Sequence, residues 1–208
     1  MRCWRPDACA LLGRVRCICT LQHFLLDLVS KLSAAGQLSE TAATPMIKAE
    51  LLDFLAANGI AATTVEHPPL ATVVESQSLR GRIAGGHTKN LFLKDKKGRH
   101  FLVSVDENAN VDLKSIHQKI GGQGRVSFAS AEAMQALLGV TPGAVTLFGV
   151  INDVTGAVTV VIDENLLANE VINAHPLVNT ATTSIGRADL LRFMALSGHE
   201  PQILKVAD

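Results

Sequence analysis

The sequence predicts an α+β fold, in which helices flank a central mixed β-sheet. Segments with strand character outnumber segments with helical periodicity. They also arrive in irregular order, whereas a strict alternation of strand and helix would indicate parallel βαβ units. Hydrophobic residues make up 48% of the 208 residues, which is enough for a substantial core and excludes a disordered chain.

The first predicted element is a helix over residues 46–57. Its apolar residues recur at helical spacing, and Asn58-Gly59 supplies a left-handed stop. The segments that follow are a strand over 62–66, a helix over 72–79, and strands over 90–94 and 99–106. Residues 95–98 join the last two strands as a hairpin, with a glycine at its left-handed position.

The second half of the chain continues with a helix that Asp112 caps and that runs through residue 119. Ser130 caps the next helix, and Gly139 ends it. Strands are predicted over 125–128, 144–150, 157–162, 170–174 and 180–185. A last helix runs from about residue 187 to 196, and Gly198 ends it.

The first 45 residues differ in composition from the rest. All four cysteines lie within the first nineteen residues, so the remaining chain contains no thiol. We expect residues 1–45 to be a poorly ordered leader outside the native domain, and residues 46–208 to form a single domain. An organelle-targeting peptide and a native start at Met46 are two interpretations of the leader that stay open. The thiol-free body fits a reducing compartment and predicts a cytoplasmic protein.

Charge restricts the partners that this protein can have. Nineteen basic residues balance nineteen acidic ones, which argues against non-specific coating of nucleic acid. From residue 46 onward there are 14 basic and 16 acidic residues, yet residues 80–125 alone carry a net charge of +6. This excess indicates either an anionic partner at one region or a set of solvated turns. The apolar stretch over 21–32 is too short and too polar to span a bilayer, so no membrane partner is expected.

Several catalytic classes lack their signatures in this sequence. There is no phosphate-binding P-loop, no dinucleotide-binding glycine motif opening a helix and no nucleophile elbow. The histidines are scattered without metal-ligand spacing, and no thiol follows residue 19. The sequence therefore predicts neither a metal nor a cofactor, and disfavours serine, cysteine and zinc hydrolases.

Three stretches have the composition of ligand sites. Lys89 follows the Gly85-Gly86 turn at the mouth of a strand, where an ammonium group can hold a phosphate or polarise a carbonyl. The turn over 139–143 exposes backbone N–H groups because little side chain intervenes. Proline after His175 extends the backbone there and can aim the imidazole into a cleft. Taken singly, each stretch is also typical of an ordinary strand end or turn.

Taken together and in this order, the stretches resemble the YbaK/prolyl-tRNA-synthetase-associated editing family. The matching segments read Thr88-Lys89-Asn90-Leu91-Phe92-Leu93-Lys94-Asp95, Gly139-Val140-Thr141-Pro142-Gly143-Ala144-Val145-Thr146 and His175-Pro176-Leu177-x-Asn179-Thr180-Ala181-Thr182. The resemblance covers residues 46–205 and implies a mixed, partly barrel-like sheet with surrounding helices. One departure lies at Leu147, where the family often has proline, and it affects the local loop path.

The resemblance also implies roles for individual residues. Lys89 and Asn90 are expected to be catalytic. The residues expected to bind the substrate are Gly139, Thr141, Pro142, Gly143 and His175. The excess of positive charge adds a set expected to bind tRNA, which consists of Arg80, Lys94, Lys96, Lys97 and Arg99.

The function implied is hydrolysis of a mischarged aminoacyl-tRNA in trans. Within the family the chain is most similar to free-standing domains that act on alanyl-tRNA(Pro). Such editing is needed because a proline pocket cannot strongly reject alanine: missing methylenes change binding by only about 1–3 kcal/mol. The expected partners are the acceptor end of tRNA and prolyl-tRNA synthetase. Two alternatives stay open: a deacylase of cysteinyl-tRNA(Pro) or another aminoacyl-tRNA, and a catalytically silent module that binds tRNA or a synthetase.

Overall fold

The computed structural model describes residues 44–68 and 83–208. Three predictions lie outside the described residues: the leader, apart from Thr44 and Pro45, the helix over 72–79, and Arg80 as a tRNA-binding residue. The division into a leader and one domain stays a prediction.

Five α-helices and one 3-10 helix lie in the described part of the chain. The α-helices are α1 (Lys48–Ala57), α2 (Ile116–Lys119), α3 (Ala131–Leu138), α4 (Glu164–Leu167) and α5 (Arg187–Leu196), and the 3-10 helix spans Leu147–Asn152. The stops predicted for α1, α3 and α5 are confirmed, because Gly59, Gly139 and Gly198 have φ angles of +65°, +65° and +78°. None of the helices described is long and apolar enough to cross a membrane.

The described strands form one mixed sheet, which confirms the predicted α+β class. They are β1 (Ala62–Glu66), β2 (Gly86–Lys94), β3 (His100–Asp106), β4 (Ser127–Phe128), β5 (Val158–Asp163), β6 (Val171–Ala174), β7 (Ala181–Gly186) and β8 (Gln202–Leu204). Their order in the sheet is β1-β7-β6-β2-β3-β5-β8, with β4 paired to β2. The β2–β6, β3–β5 and β5–β8 pairs are parallel, and the other pairs are antiparallel.

Two apolar clusters cover opposite faces of the central strands. The larger one includes Phe92 of β2 together with residues of α1, α3, the 3-10 helix and α5. The smaller one includes Leu93 of β2 and residues of β3, α2 and the carboxyl-terminal tail. Because successive side chains of a strand point to opposite faces, each β2 residue can be assigned to one face or the other.

The strand predicted over 144–150 is wrong. The Thr146 hydroxyl accepts a hydrogen bond from the Phe148 N–H at 3.3 Å, and the Gly149 N–H bonds the Thr146 carbonyl at 3.1 Å. These bonds start the 3-10 helix instead. Residues 146–150 are all buried, and a short, fully buried apolar run has no periodicity that distinguishes strand from helix.

The helix predicted from Asp112 to residue 119 is shorter than expected. The Asp112 carboxylate accepts from the Lys114 N–H at 3.0 Å and from the Ser115 hydroxyl at 2.6 Å. These side-chain bonds compete with the helical ladder and hold residues 112–115 in turns, so that only Ile116–Lys119 is helical. The helix α4 and the strand β8 were not predicted.

Candidate functional site

The candidate site lies where β2 passes from one half of the sheet to the other. Near its start β2 pairs with β6 through only two residue pairs, Gly86 with Ile172 and His87 with Asn173. From Thr88 onward it pairs with β3 and then β4. The two parallel strands therefore diverge at their carboxyl ends. Open α/β sheets bind ligands in a crevice of this kind, and we locate the candidate site here by the same reasoning.

Two glycines allow β2 to approach its neighbours at the start of this crevice. A Cβ on Gly85 would lie 2.6 Å from the carbonyl oxygen of Val171, and one on Gly86 would lie 2.5 Å from Nδ2 of Asn169. Both distances are shorter than real Cβ contacts, so a side chain at Gly85 would have to displace the backbone at Val171, and one at Gly86 would have to displace the Asn169 side chain. The two glycines therefore permit the close approach of β2 to these neighbours.

The two predicted catalytic residues leave β2 on opposite faces. The Thr88 hydroxyl and the Asn90 amide, two residues apart, reach the carbonyl groups of Asn173 and Val145, on the side of the larger cluster. Lys89 lies between them, and its ammonium group donates to the carbonyl of Ala109, next to the smaller cluster. This contact does not neutralise the lysine charge, because the acceptor is uncharged. Strand geometry places the two neighbours on opposite faces, and the packing of the two clusters decides which face each of them occupies.

The Asn90 side chain joins three segments of the chain. Its Oδ1 accepts from the hydroxyl of Ser104 at 2.6 Å, and Ser104 is fully buried on β3. Its Nδ2 donates to the carbonyl of Val145 at 3.2 Å and to the hydroxyl of Thr88 at 3.3 Å. The amide therefore ties β2 to β3 and to the segment that follows the 139–143 loop, and it determines where that loop lies relative to β2.

The predicted glycine-rich loop has an anchored end and an open end. Gly139 ends α3, and a Cβ there would lie 2.5 Å from Nδ2 of Asn152. Gly143 has a φ of +89° with open space around it, and Thr141 and Pro142 are exposed. The N–H groups of Thr141 and Gly143 donate to no atom of the described residues. They are therefore available to an acceptor that enters the crevice.

His175 follows β6 and begins the loop that turns back into β7. Its Nδ1 lies 3.3 Å from the carbonyl of Val178, which can only accept, so Nδ1 carries the proton. Its Nε2 has no hydrogen-bond partner among residues 44–68 and 83–208. Burial lowers the pKa of His175 below its ordinary value; the bond to Val178 opposes this shift, and nearby His67 adds to it. The ring is thus neutral at pH 7 and presents an acceptor at Nε2.

The loop after His175 contains the one non-glycine residue with positive φ among the described residues. Leu177 has a φ of +64°, although its side chain is only 7% exposed and packs in the larger cluster. Left-handed backbone is rare for a leucine and persists only where the surrounding structure imposes it. The loop that carries His175 is therefore held in one conformation by packing.

His67, the residue directly after β1, also belongs to the site. Its ring meets that of His175 edge to face, with centroids 6.5 Å apart and planes at 86°. Its Nε2 lies 3.0 Å from the hydroxyl of Thr182. A signal for it exists, because His67-Pro68 repeats the His175-Pro176 dipeptide. That signal identifies two histidines with extended backbone, but it does not show that their rings meet.

The predicted tRNA-binding residues of the hairpin divide into two groups. Arg99 is engaged: its Nε bonds Asp95 at 2.9 Å, and its guanidinium also donates to the Gly121 carbonyl at 2.6 Å. Burial opposes ionisation of Asp95, but N–H groups of Gln123, Arg99 and Lys97 hold its pKa well below the usual range. The exposed residues Lys94, Lys96 and Lys97 form no ion pair within the described residues. Their charges are therefore free to meet an anion.

Metal ligation was not predicted from the sequence. Within residues 44–68 and 83–208, no group of three or more His, Cys, Asp or Glu side chains is arranged to hold a metal ion.

Comparison with known proteins shows the family of this chain. The model of a family described as the aminoacyl-tRNA editing domain matches residues 67–193, from one site histidine to α5. The chain belongs to the aminoacyl-tRNA editing domain family. The resemblance drawn from the three motifs is thereby confirmed, and the chain is an enzyme of the aminoacyl-tRNA deacylase class, which hydrolyses the ester between an amino acid and its tRNA.

Relatives of this aminoacyl-tRNA editing domain occur in bacteria and animals. A prolyl-tRNA editing protein of Acetoanaerobium sticklandii is 40% identical over 138 residues, which is 66% of this chain and 84% of the relative. The prolyl-tRNA synthetase associated domain-containing protein 1 of Danio rerio is 36% identical over 181 residues, covering 86% of this chain and 96% of the relative.

The fold of this aminoacyl-tRNA editing domain also occurs in solved structures. One is the crystal structure of a candidate trans-editing enzyme for prolyl tRNA synthetase. It is 25% identical to this chain, with a TM-score of 0.58, and the match covers 76% of this chain and 96% of that one.

Proposed function

We propose that this deacylase removes alanine from mischarged tRNA(Pro) in trans. Support comes from the relatives, two of which carry prolyl-tRNA editing or prolyl-tRNA synthetase association in their names. The chemistry of the error is consistent with this choice, because a pocket shaped for proline admits alanine with a penalty of only about 1–3 kcal/mol. A second site has to remove the wrong amino acid by hydrolysis.

The observation that carries the proposal is the set of donors and acceptors around the crevice between β2 and β6. The free Nε2 of His175 is an acceptor suited to the α-ammonium group of an amino acid. The N–H groups of Thr141 and Gly143 are donors suited to an ester carbonyl and to the oxyanion that forms from it. Asn90 fixes the distance between β2 and the loop, through Val145.

The reaction needs no enzyme-bound intermediate. A water oxygen attacks the ester carbonyl carbon, the electron pair moves to the carbonyl oxygen, and the loop N–H groups stabilise that charge. The carbon–oxygen bond to the ribose then breaks, and the proton from the water passes to the ribose oxygen. The products are the free amino acid and uncharged tRNA. The neighbouring ribose hydroxyl relays the proton, so the protein contributes orientation and charge stabilisation.

Lys89 is assigned to anchoring of the terminal phosphate or the ester region of the tRNA. Its ammonium charge is not neutralised by its contact with the carbonyl of Ala109, on the face of β2 opposite to Asn90. Lys89→Ala is expected to lower kcat/KM about 100- to 1,000-fold, the loss typical of one electrostatic donor. Lys119→Ala is the matched control, because Lys119 also donates to a backbone carbonyl, that of Val206. If Lys89→Ala hydrolyses the substrate about as fast as the wild type and Lys119→Ala do, the assignment is refuted.

The substrate is tested with a panel of charged tRNAs. Alanyl-, cysteinyl- and prolyl-tRNA(Pro) are incubated with the protein, and the fraction of aminoacylated tRNA is followed over time. The proposal expects rapid loss of alanine and persistence of proline. Preference for cysteine would identify the alternative deacylase. Binding of all three tRNAs without hydrolysis would identify a silent module.

The exposed lysines of the β2–β3 hairpin are proposed to contact the tRNA beyond its terminal nucleotide. Lys94 lies five residues after Lys89 on the same strand, so their Cα atoms are separated by about 17 Å at about 3.3 Å per residue. Phe128 of β4, 58% exposed and paired with Leu93, adds an aromatic face on which a base can stack. Alanine at Lys94, Lys96 and Lys97 together is expected to weaken binding and to reduce its salt dependence.

The other proposed partner is prolyl-tRNA synthetase, and the proposed compartment is the cytoplasm. The proposal of the synthetase rests on the names of the relatives. The proposal of the cytoplasm rests on the absence of cysteine after residue 19. Addition of the synthetase to the tRNA panel tests the first, since a functional association should raise the deacylation rate at limiting enzyme.

A further inference from the structure

A pair of histidines forms one end of the crevice. His67 comes directly after β1 and His175 directly after β6, and each is followed by proline. Their rings meet edge to face at 6.5 Å. No role was assigned to His67 from the sequence, yet it is only 8% exposed and polar, which requires that its ring nitrogens be satisfied.

Both ring nitrogens of His67 have partners that define its protonation. Nδ1 lies 2.9 Å from the carbonyl of Pro68, an obligatory acceptor, so Nδ1 carries a proton. Nε2 lies 3.0 Å from the hydroxyl of Thr182, which donates to it when the ring is neutral. The backbone N–H of His67 donates to the carbonyl of Thr180 at 2.9 Å. His67 is thus bound on three sides and ties the end of β1 to the start of β7.

The position of His175 depends on this arrangement. The His67 ring lies against the His175 ring, edge to face, and Nδ1 of His175 donates to the carbonyl of Val178. Among the described residues, His67 is the titratable group that influences His175 electrostatically; the hydroxyl of Thr182 and the carbonyl of Val178 do not titrate near neutral pH. The orientation of the free Nε2 therefore depends on the neighbouring His67 ring, which also adds to the effect of burial on the pKa of His175.

We propose that His67 is a positioning residue for deacylation, which holds the His175 ring so that its free Nε2 receives the aminoacyl group. This inference rests on the proposed function, because it assigns Nε2 of His175 to the substrate. His67 itself acts through His175 and through Thr182, which fixes the His67 ring. It is a positioning residue and not a catalytic one.

The test compares His67→Phe and Thr182→Val with the control Thr183→Val. Phenylalanine keeps a ring beside His175 but loses both hydrogen bonds and the titratable charge. Thr182→Val removes only the hydroxyl that fixes His67. Thr183 is a buried threonine on the same strand whose hydroxyl bonds Thr64 at 2.8 Å, so Thr183→Val removes a comparable bond away from the histidines.

Two measurements separate positioning from a loss of stability. Nitrogen-detected NMR of the imidazole rings, without substrate, should show the Nδ1–H tautomer for both histidines in the wild type. His67→Phe should move the titration midpoint of His175 to higher pH, because it removes the electrostatic effect by which His67 lowers the pKa of His175, while burial, the larger cause, stays. The acid limb of the pH–kcat profile should move in the same direction.

Turnover of the variants gives the second comparison. His67→Phe and Thr182→Val should lower kcat about 10- to 100-fold, as expected for a misplaced group, with KM within about twofold of the wild type. Thr183→Val should lower the melting temperature without moving the His175 midpoint or kcat.

The outcomes distinguish the inference from the function on which it rests. The opposite tautomer in the wild type, or an unshifted His175 midpoint in folded His67→Phe, overturns the role of His67. Absence of turnover by the wild type on every tRNA overturns the proposed function instead. If His67→Phe does not fold, the wild-type tautomer and kcat of Thr182→Val decide.

Discussion

Replacement of Asn90 by alanine tests how much the side-chain amide of this residue contributes to the free energy of unfolding. The side chain accepts from Ser104 at 2.6 Å and donates to Val145 at 3.2 Å and to Thr88 at 3.3 Å. Alanine removes all three bonds at once. Thr88 keeps its bond to the Asn173 carbonyl, but Ser104, which is fully buried, has no other bond that involves its side chain within the described residues.

The magnitude follows from the partners left behind. A buried hydroxyl without an acceptor costs about 1–3 kcal/mol, and the lost bond to the Val145 carbonyl costs about 0.5–1.5 kcal/mol more. The free energy of unfolding should therefore fall by about 3 kcal/mol. For a domain of this size, such a loss lowers Tm by about 6–12 °C.

The assay is thermal and urea denaturation of Asn90→Ala beside Asn108→Ala. Asn108 is exposed, and its side chain bonds only to neighbouring Asp106 at 3.4 Å, so its replacement should change stability by less than about 0.5 kcal/mol. A loss below about 1 kcal/mol for Asn90→Ala would contradict the reasoning, because Ser104 would then have found another acceptor. A deacylation defect in protein that remains folded would show that turnover depends on the loop position that Asn90 holds through Val145.

Two further predictions concern stability. Gly139→Ala should cost about 3 kcal/mol and Gly156→Ala about 1 kcal/mol, because both need left-handed backbone but only the first places a Cβ 2.5 Å from Asn152; equal losses in urea denaturation would contradict this. Burial opposes ionisation of Asp153, yet bonds from neighbouring N–H groups and from His199 at 3.2 Å lower its pKa overall. Its stabilising contribution is therefore present at neutral pH and is lost as pH falls below about 4. The difference between the urea midpoints measured at pH 7 and at pH 3.5 should be smaller for Asp153→Asn than for the wild type. An equal difference in the two proteins would count against the assignment.

Local signals in the sequence predicted many element ends correctly. Ser130 caps α3 through its bond to the Ala133 N–H, as predicted, and the glycine at 98 turns the β2–β3 hairpin with a φ of +83°. These features depend on residues within a few positions of each other. The same approach failed over 144–150, where burial on all sides left no periodicity to interpret.

For the proposed site residues, too, the sequence predicted some features and not others. The motifs around Lys89, Gly139–Gly143 and His175 identified the family from sequence alone, and the family match confirms it. That Asn90 faces the larger cluster and Lys89 the smaller one was not predictable, because the packing of the two apolar clusters determines which face is which. Nor could the role of Asn90 as a link between β3 and the Val145 segment be read from its neighbours along the chain.

The sequence by itself determined the fold class, the family and the stops of the helices, since these depend on composition, ordered motifs and short-range backbone preferences. Only the tertiary structure decided which side chains meet. His67 and Thr182 are separated by 115 positions and bond because β1 and β7 pair antiparallel. Strand partners depend on contacts between distant segments that bury apolar surface together, and no local pattern encodes them. The neutral acceptor at His175 exists because the fold buries the ring and binds its Nδ1 to the carbonyl of Val178.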